Sequence, residues 1–417
     1  MSGLAAILAK KASQEEAKEQ VHGMISRMSH RGGAGSSFRI HGGDSFQAVL
    51  SMGGCLSAAA AERGEPAPPI SDPNATHWLL FDGWLSNGRD LFEEVRRALP
   101  RGVACSDTAA VLGAWFLWGD GFLSRMKGNW ALLLADFQEG FLLGAVDRWG
   151  TRPLYCWEGP DGLYFASEIK AFKAHPAWDP RPERQSAYEF LNWGISDHTE
   201  RTFYDGVFRF PQGEWVRFRF NASSWRDGRR QKWFTPVVGG FTGSFNDAVE
   251  EFRPIFQRAV SRRMTGGRQG YAISGGLDSS SVACTAAKLA PKAHREGFFI
   301  RTPFPGHDET EYAKGAAEAA GCPLTTEAVF LEGFLEDLDT VIADVDEPFR
   351  TARFYIHYLL CRLMHREGIR VAMEGQGGMN SWEGISPFFY PVSGTGSVKG
   401  REQKPSGRLS RPIPGWG

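Results

Sequence analysis

A glycine turn at residues 274–280, SGGLDSS, constrains the fold of this 417-residue chain more than any other feature. The strand-like run GYAIS leads into it, and the helical run SVACTAAKLA follows it. Two further strand-like runs, GFFI and IRVAMEG, are each separated from the last by helical sequence. Strands that alternate with helices in this way form parallel, doubly wound α/β sheets. The sequence therefore predicts such a sheet over residues 245–385.

The same turn carries residue types that bind phosphate groups. Gly275 and Gly276 allow the backbone to turn tightly and to present N–H groups, and the following helix adds the positive end of its dipole. The hydroxyls of Ser274, Ser279 and Ser280 can donate further hydrogen bonds. These features predict a phosphate-binding loop, and an ordinary glycine-rich turn with a serine cap is the alternative.

Asp278 lies in this turn, where a lone carboxylate would repel phosphate. We therefore expect it to hold a Mg²⁺ ion that bridges the phosphates. The sequence has no G-x-x-x-x-G-K-[ST] loop, which excludes the usual site of γ-phosphate transfer. Chemistry at the α-phosphate of ATP, with pyrophosphate as the leaving group, is consistent with this pattern.

The first half of the chain has a different pattern. Short apolar runs such as HWLLFDG, NWALLLADF, GFLLGAVD and LYFASE are separated by Gly, Asp and Pro turn signals. Two segments between them, SQEEAKEQVHGMISRMSH and SDTAAVLGAWFLWG, have the apolar spacing of helices. We expect antiparallel sheets covered by helices over residues 1–220 and a linker at 221–244. Residues 386–417, rich in Gly, Pro, Ser and basic residues, are expected to be a disordered tail.

Composition excludes several classes of function. The 47 basic and 48 acidic residues nearly cancel, so no overall field attracts nucleic acid or a membrane surface. No apolar run approaches the roughly 18 residues that span a bilayer, and no basic segment precedes the short apolar stretch near the N-terminus. Six scattered cysteines without a C-x-x-C pair indicate reduced thiols. We expect a soluble, cytoplasmic protein that acts on small molecules or peptides.

The ordered motifs of both halves resemble those of the asparagine synthetase family. In the second half they are the turn at 274–280, DETEYA at 308–313 and DEPF at 346–349. In the first half they include, in family order, SHRG, FDG, GNWA, DRWG and FASE. The resemblance implies an αββα sandwich of the N-terminal-nucleophile type, a class II glutamine amidotransferase-like domain. A doubly wound ATP-pyrophosphatase domain follows it.

The resemblance implies an ATP-dependent ligase that activates a small-molecule or peptide carboxylate as its adenylate. The amine would be ammonia or an amine of the substrate itself, and a homodimer is compatible with the family. ATP and Mg²⁺ are the implied cofactors, with Asp278 as the implied metal ligand. The implied nucleotide-binding residues are Ile273, Ser274, Gly275, Gly276, Leu277, Asp278, Ser279, Ser280, Ile300 and Gly375.

The second half departs from the family pattern at its next glycine turn. Relatives carry an acidic pair where this chain has Met379 and Asn380, and many carry a glutamate where it has Gln376. A thioether binds hard cations poorly, and an amide cannot act as a general base. The family match stops near Gly384, which suggests an incomplete domain. A truncated or catalytically silent relative that only binds nucleotide is therefore the alternative function.

The first half departs at the glutaminase residues. Relatives have a nucleophilic cysteine where this chain has Ser2, an oxyanion-hole asparagine where it has Asp82 next to Gly83, and a glutamate where it has Trp84. A carboxylate at Asp82 would repel a developing oxyanion. We expect a domain without glutaminase activity, as in relatives that form β-lactams or close lasso-peptide macrolactams, and a serine-nucleophile amidase is a third alternative.

Histidines give no metal-site spacing in the predicted helix that follows DEPF. His357 and His365 lie eight residues apart, not at the i, i+4 spacing of a two-histidine site. We interpret them as structural or solvated side chains.

Overall fold

The computed structural model describes residues 2–10, 12–42, 48–265, 267–302, 306, 308–351 and 353–376. Met379, Asn380 and the predicted tail at 386–417 lie outside these residues.

The described residues form sixteen strands and eleven α-helices. The strands are β1 (Gly3–Ala9), β2 (Ser36–His41), β3 (Val49–Cys55), β4 (Ile70–Ser71), β5 (His77–Leu85), β6 (Gly128–Asp136), β7 (Phe141–Val146), β8 (Tyr155–Glu158), β9 (Gly162–Ala166), β10 (Val207–Arg209), β11 (Glu214–Arg219), β12 (Arg229–Lys232), β13 (Gly270–Ala272), β14 (Glu296–Arg301), β15 (Leu324–Ala328) and β16 (Ala372–Met373). The helices are α1 (Gln14–Arg27), α2 (Ala58–Glu62), α3 (Gly88–Val95), α4 (Asp107–Trp118), α5 (Phe122–Arg125), α6 (Arg184–Trp193), α7 (Phe245–Arg263), α8 (Leu277–Leu289), α9 (Thr310–Ala319), α10 (Leu331–Val345) and α11 (Arg353–Arg366).

Two antiparallel sheets make up the first half within the described residues. Their strand orders are β10-β8-β9-β1-β3-β2 and β12-β11-β7-β6-β5-β4. Strand β1 is buried along its whole length, and its alternate side chains enter two different cores. Leu4 and Leu8 pack in the core between the sheets, whereas Ile7 packs with residues of α1 on the outer face. The second sheet packs its outer face against α3 and α4. This confirms the predicted αββα sandwich.

The second half contains a parallel sheet among the described residues, in the order β15-β14-β13-β16. Strand β13 pairs in parallel with both β14 and β16, and β14 pairs in parallel with β15. Parallel pairing requires crossover connections, and α8, α9 and α11 lie in the connections. The predicted parallel α/β sheet is confirmed.

Capping residues fix where the long helices begin. Ser13 caps α1 and Ser244 caps α7, and each accepts a hydrogen bond from the backbone of an acidic residue that bonds back to it. The segment 221–244, predicted as a linker, contains strand β12, which pairs with β11. Polar residues suit this edge strand, because only one of its sides is paired.

No helix among the described residues is both long enough and apolar enough to cross a bilayer.

Candidate functional site

The predicted phosphate loop connects the carboxyl end of β13 to α8. Ile273 at its start and Ile300 on β14 are buried in the core, so both anchor the loop from below. Gly275 has a φ of +82°, and a Cβ atom there would lie 2.4 Å from the backbone carbon of Tyr312. Glycine is therefore required both by the backbone conformation and by the close approach of α9.

The serine hydroxyls divide into two groups. Ser279 Oγ accepts a hydrogen bond from the Ser274 amide at 3.1 Å and lies 3.1 Å from Ser274 Oγ, so these two side chains hold the loop in shape. Ser280 Oγ is buried and has no hydrogen-bond partner among the described residues. A buried hydroxyl left without a partner costs about 1–3 kcal/mol, a cost that a bound ligand oxygen would remove.

The N-terminus of α8 has no side-chain cap. Gly276 is its N-cap and supplies no side-chain hydrogen bond to the first turn, and Leu277 is 71% exposed. Uncapped first-turn N–H groups and the helix dipole together attract anions. The residues present therefore fit a phosphate group, although α8 begins four residues earlier than the predicted helical run, because Asp278 and the serines belong to its first turn.

Gly375 and Asp278 lie against each other at this loop. A Cβ atom on Gly375 would lie 2.5 Å from the Ser279 amide nitrogen and 2.8 Å from Asp278 Cβ. The turn after β16 therefore comes close enough to Asp278 to bring Gln376 to the same end of the sheet. One carboxylate in a first helical turn fits a Mg²⁺ ion held mainly by phosphate oxygens and water.

The DEPF segment contacts the first half of the chain rather than the loop. The Glu347 carboxylate accepts hydrogen bonds from the Phe203 amide at 3.0 Å and from Arg209 Nη2 at 2.6 Å. The Tyr204 hydroxyl donates to the Asp346 carbonyl oxygen at 2.7 Å. A cavity of about 1040 Å³ lies beside these contacts and is lined by residues of both halves.

Ser2, Asp82 and Gly83 come together at the edge of the first half. The Ser2 amide donates to Asp82 Oδ1 at 2.9 Å, and Ser2 Oγ accepts from the Ser57 amide at 3.2 Å. Arg31 Nη1 donates to the Ser2 carbonyl at 3.0 Å and to Asp82 Oδ2 at 3.3 Å. Asp82 is only 2% exposed, so its charge is neutralised by Arg31 rather than by water. It supplies hydrogen-bond acceptors where the resemblance predicts the donor of an oxyanion hole.

Arg31 also begins a row of alternating charges that sequence reasoning missed. Its Nε donates to Glu168, whose other oxygen accepts from Lys170 Nζ at 2.8 Å, and Lys170 lies 3.7 Å from Asp346 Oδ1. Burial alone would raise the pKa of Glu168, but Arg31 and Lys170 outweigh it and hold that pKa at about 2. The features of the sequence that indicate this row are the charged residues inside two motifs, Arg31 in SHRG and Glu168 in FASE.

Asp107 and Trp84 both lie near the end of β5. Asp107 Oδ2 accepts from the Leu85 amide at 2.8 Å, and burial together with nearby Glu65 raises the pKa of Asp107 to about 6. The Trp84 ring lies 5.8 Å from the guanidinium of Arg263, at the end of α7. This aromatic side chain therefore lies beside a residue of the second half.

Comparisons with known proteins agree with both halves. Residues 1–233 match the family described as a glutamine amidotransferase domain, and residues 251–403 match asparagine synthase. The second match runs past Gly384, near which the motifs predicted that it would stop. Asparagine synthetase [glutamine-hydrolyzing] 1 of Bacillus subtilis is 25% identical over 413 residues, which are 96% of this chain and 60% of that protein. Amidase chyE of Penicillium rubens is 26% identical over 306 residues, 69% of this chain and 44% of that protein.

A solved structure also aligns with this chain. Glutamine phosphoribosylpyrophosphate amidotransferase from B. subtilis, complexed with ADP and GMP, aligns with 78% of this chain and 65% of its own at 16% identity and a TM-score of 0.39. The chain spans 60% or less of the length of the two curated relatives. Because the first family match alone covers more than half of the residues and the second continues the same order, the chain belongs to the asparagine synthetase family.

Proposed function

We propose that this chain is an ATP-dependent ligase that activates a carboxylate with release of pyrophosphate and then joins it to an amine as an amide. The observation that carries the proposal is the loop between β13 and α8. Its uncapped helix N-terminus and the unpartnered hydroxyl of Ser280 are both suited to phosphate oxygens. Family membership supports the same assignment.

In this proposal the loop residues bind and orient the triphosphate of ATP. The first-turn amides of α8 and Ser280 Oγ would donate to phosphate oxygens, while Ser274 and Ser279 keep the loop in its conformation. Asp278 would hold Mg²⁺, which supplies charge neutralisation to the leaving pyrophosphate. Gly375 would keep the adjoining turn close to Asp278.

The amine is proposed to come from ammonia or from the substrate rather than from glutamine bound to the first half. The buried pair of Asp82 and Arg31 at Ser2 supports this, since it places a carboxylate beside the position of the nucleophile. The first half would then act as a scaffold, through contacts such as that of Glu347 with Arg209.

A silent nucleotide-binding protein is the second candidate. Gln376, next to Gly375 at the end of the described chain, favours it, because its amide cannot accept a proton from an attacking amine. Met379 favours it as well, through the missing carboxylate ligand.

Calorimetric titration of the full chain with ATP, with and without Mg²⁺, separates these candidates. Magnesium-dependent binding that is lost in Asp278→Ala and retained in Asp90→Ala would support a functional loop. Asp90 is the matched control, because it occupies the first turn of α3. Pyrophosphate release in a screen of amino acid and peptide carboxylates would then support the ligase. Binding without release favours the silent protein, and the absence of Mg-ATP binding would rule out both.

A further inference from the structure

Three potential metal-binding side chains meet on the face of α11 that borders β16. His357 and Cys361 are four residues apart on this helix and therefore share one face. Glu374 follows directly after β16. Cys361 Sγ lies 3.6 Å from His357 Nε2, and His357 Nδ1 lies 3.8 Å from Glu374 Oε2. One donor atom from each of the three lies within 4.8 Å of the others.

These separations are close to those of a tetrahedral metal site. Zinc bonds of about 2.0–2.3 Å place neighbouring donors roughly 3.5 Å apart. The Cys361 sulfur and His357 Nε2 already meet this spacing. Side-chain rotations that move the Glu374 carboxylate oxygen by about 1 Å would bring it into range. A thiolate, an imidazole and a carboxylate suit Zn²⁺ and Co²⁺, whereas Mg²⁺ prefers oxygen ligands alone.

The cluster is also accessible from solvent. The His357 side chain is 46% exposed and that of Glu374 is 24% exposed, so an ion can reach the cluster from solvent. The spacing of a metal site is that of His357 and Cys361, four residues apart, rather than the eight-residue spacing of His357 and His365.

We propose that His357, Cys361 and Glu374 bind one divalent transition-metal ion, with Zn²⁺ as the best-suited occupant. Binding forms bonds from sulfur, nitrogen and oxygen to the metal, and the Cys361 thiol releases its proton to solvent. Three protein ligands leave a fourth position for water. The site is separate from Asp278, but Glu374 precedes Gly375, which packs on Asp278. A bound ion would therefore tie α11 to the turn beside the phosphate loop.

The test is a titration of the metal-free full chain with Co²⁺, followed by absorbance. We expect a sulfur-to-cobalt charge-transfer band that saturates at one ion per chain and disappears when Zn²⁺ is added. Cys361→Ser should abolish the band, and His357→Ala and Glu374→Gln should each weaken binding by about 10- to 100-fold or more. Cys105→Ser and His22→Ala, which alter an exposed cysteine and an exposed histidine of α1, should bind as the native chain does.

Thermal unfolding distinguishes loss of the site from loss of the fold. Without metal, all five variants should unfold at the temperature of the native chain, and Zn²⁺ should raise that temperature in the native chain and in the two controls only. Absence of a saturable band, or a band that persists in Cys361→Ser, would overturn the proposal. Neither readout involves ATP, so this outcome is independent of the proposed ligase activity.

Discussion

Asp82 shows how a single residue alters the chemistry open to the first half. Its carboxylate accepts from the Ser2 amide and pairs with Arg31, while only 2% of the residue is exposed. An oxyanion beside it would meet a negative charge in place of a side-chain amide donor. The local structure is stable because Arg31 satisfies the carboxylate, not because the site is arranged for hydrolysis.

Restoring the family nucleophile is therefore expected not to restore glutaminase activity. The Ser2→Cys variant should release ammonia from glutamine no faster than the native chain, measured with a coupled ammonia assay. The missing oxyanion donor alone is worth about 10²- to 10³-fold in rate. A matched control is Ser57→Ala, which removes the hydroxyl of the residue whose amide contacts Ser2 Oγ. Glutamine-dependent ammonia release by Ser2→Cys would contradict the assignment of Asp82.

The raised pKa of Asp107 makes the stability of the chain depend on pH. Burial, together with nearby Glu65, raises the pKa of Asp107 to about 6, well above its value of about 3.9 in an unfolded chain. The folded state thus holds this proton more tightly, so the contribution of Asp107 to stability falls as pH rises from 4 through 6. Replacing Asp107 with Asn removes this loss. From pH 4 to pH 7, the free energy of unfolding of Asp107→Asn should rise relative to the native chain by about 2–3 kcal/mol.

Urea denaturation of both proteins at several pH values measures this difference, and other titrating groups cancel between them. Asp90→Asn is the matched control, because Asp90 also lies in a first helical turn but is exposed. Its difference from the native chain should stay within about 0.5 kcal/mol across the same range. A pH-independent difference for Asp107→Asn would show that the carboxyl titrates normally.

The positions of single residues could be predicted from the sequence where side-chain chemistry and the spacing of neighbouring elements agreed. Asp278 and Ser279 could be placed at a helix N-terminus because the glycine turn, the strand and the helix are adjacent in the chain. The pairing of Arg31 with Glu168 could not be predicted, because it joins residues that are 137 positions apart. Only the fold brings such side chains together.

The strands of the first half could be predicted from the sequence, because apolar residues dominate them. The run NWALLLADF became β6, which is buried from its third residue onward. The run IRVAMEG, by contrast, formed only the two residues of β16 among the described residues. Strand β12 was missed, since its sequence RRQK has no apolar residue and is held by pairing with β11. Tertiary pairing can override weak local propensity.

The loop before α8 packs closely against α9 at Gly275. Gly275→Ala places a methyl group 2.4 Å from the Tyr312 backbone and imposes a left-handed conformation on alanine. We expect a loss of about 2 kcal/mol or more in the free energy of unfolding and weaker ATP binding, because α9 and the loop must separate. Chemical denaturation and calorimetry measure the two effects.

Gly315→Ala is the matched control for this change. Gly315 lies inside α9, and a Cβ atom there meets no other atom within 4 Å. Alanine is favoured over glycine in a helix interior, so this variant should be as stable as the native chain or more stable by up to about 1 kcal/mol. Equal stability of Gly275→Ala and the native chain would mean that the loop adapts to the methyl group.

Charged side chains join the two halves of the molecule. Lys170 lies between Glu168 of the first half and Asp346 of the second, and its side chain is only 14% exposed. Glu347 is bound by Arg209, and Arg263 lies near Trp84. The sequence placed Glu168 in FASE and Asp346 and Glu347 in DEPF, which are motifs of separate halves, but it could not show that these motifs meet. The interface depends on burial of these charges, which no local pattern records.

Lys170→Met tests whether this junction holds the halves together. The variant keeps the length and apolar part of the side chain but leaves the carboxylates of Glu168 and Asp346 without their shared cation. Removing one partner from a buried group of charges costs about 3–5 kcal/mol, and this loss should fall on the contact between the halves. Scanning calorimetry should show a lower melting temperature and a transition that divides into two. Lys173→Met, an exposed lysine on the same turn, should melt as the native chain does. If both variants melted alike, the junction would contribute little, and apolar contacts would have to hold the halves together.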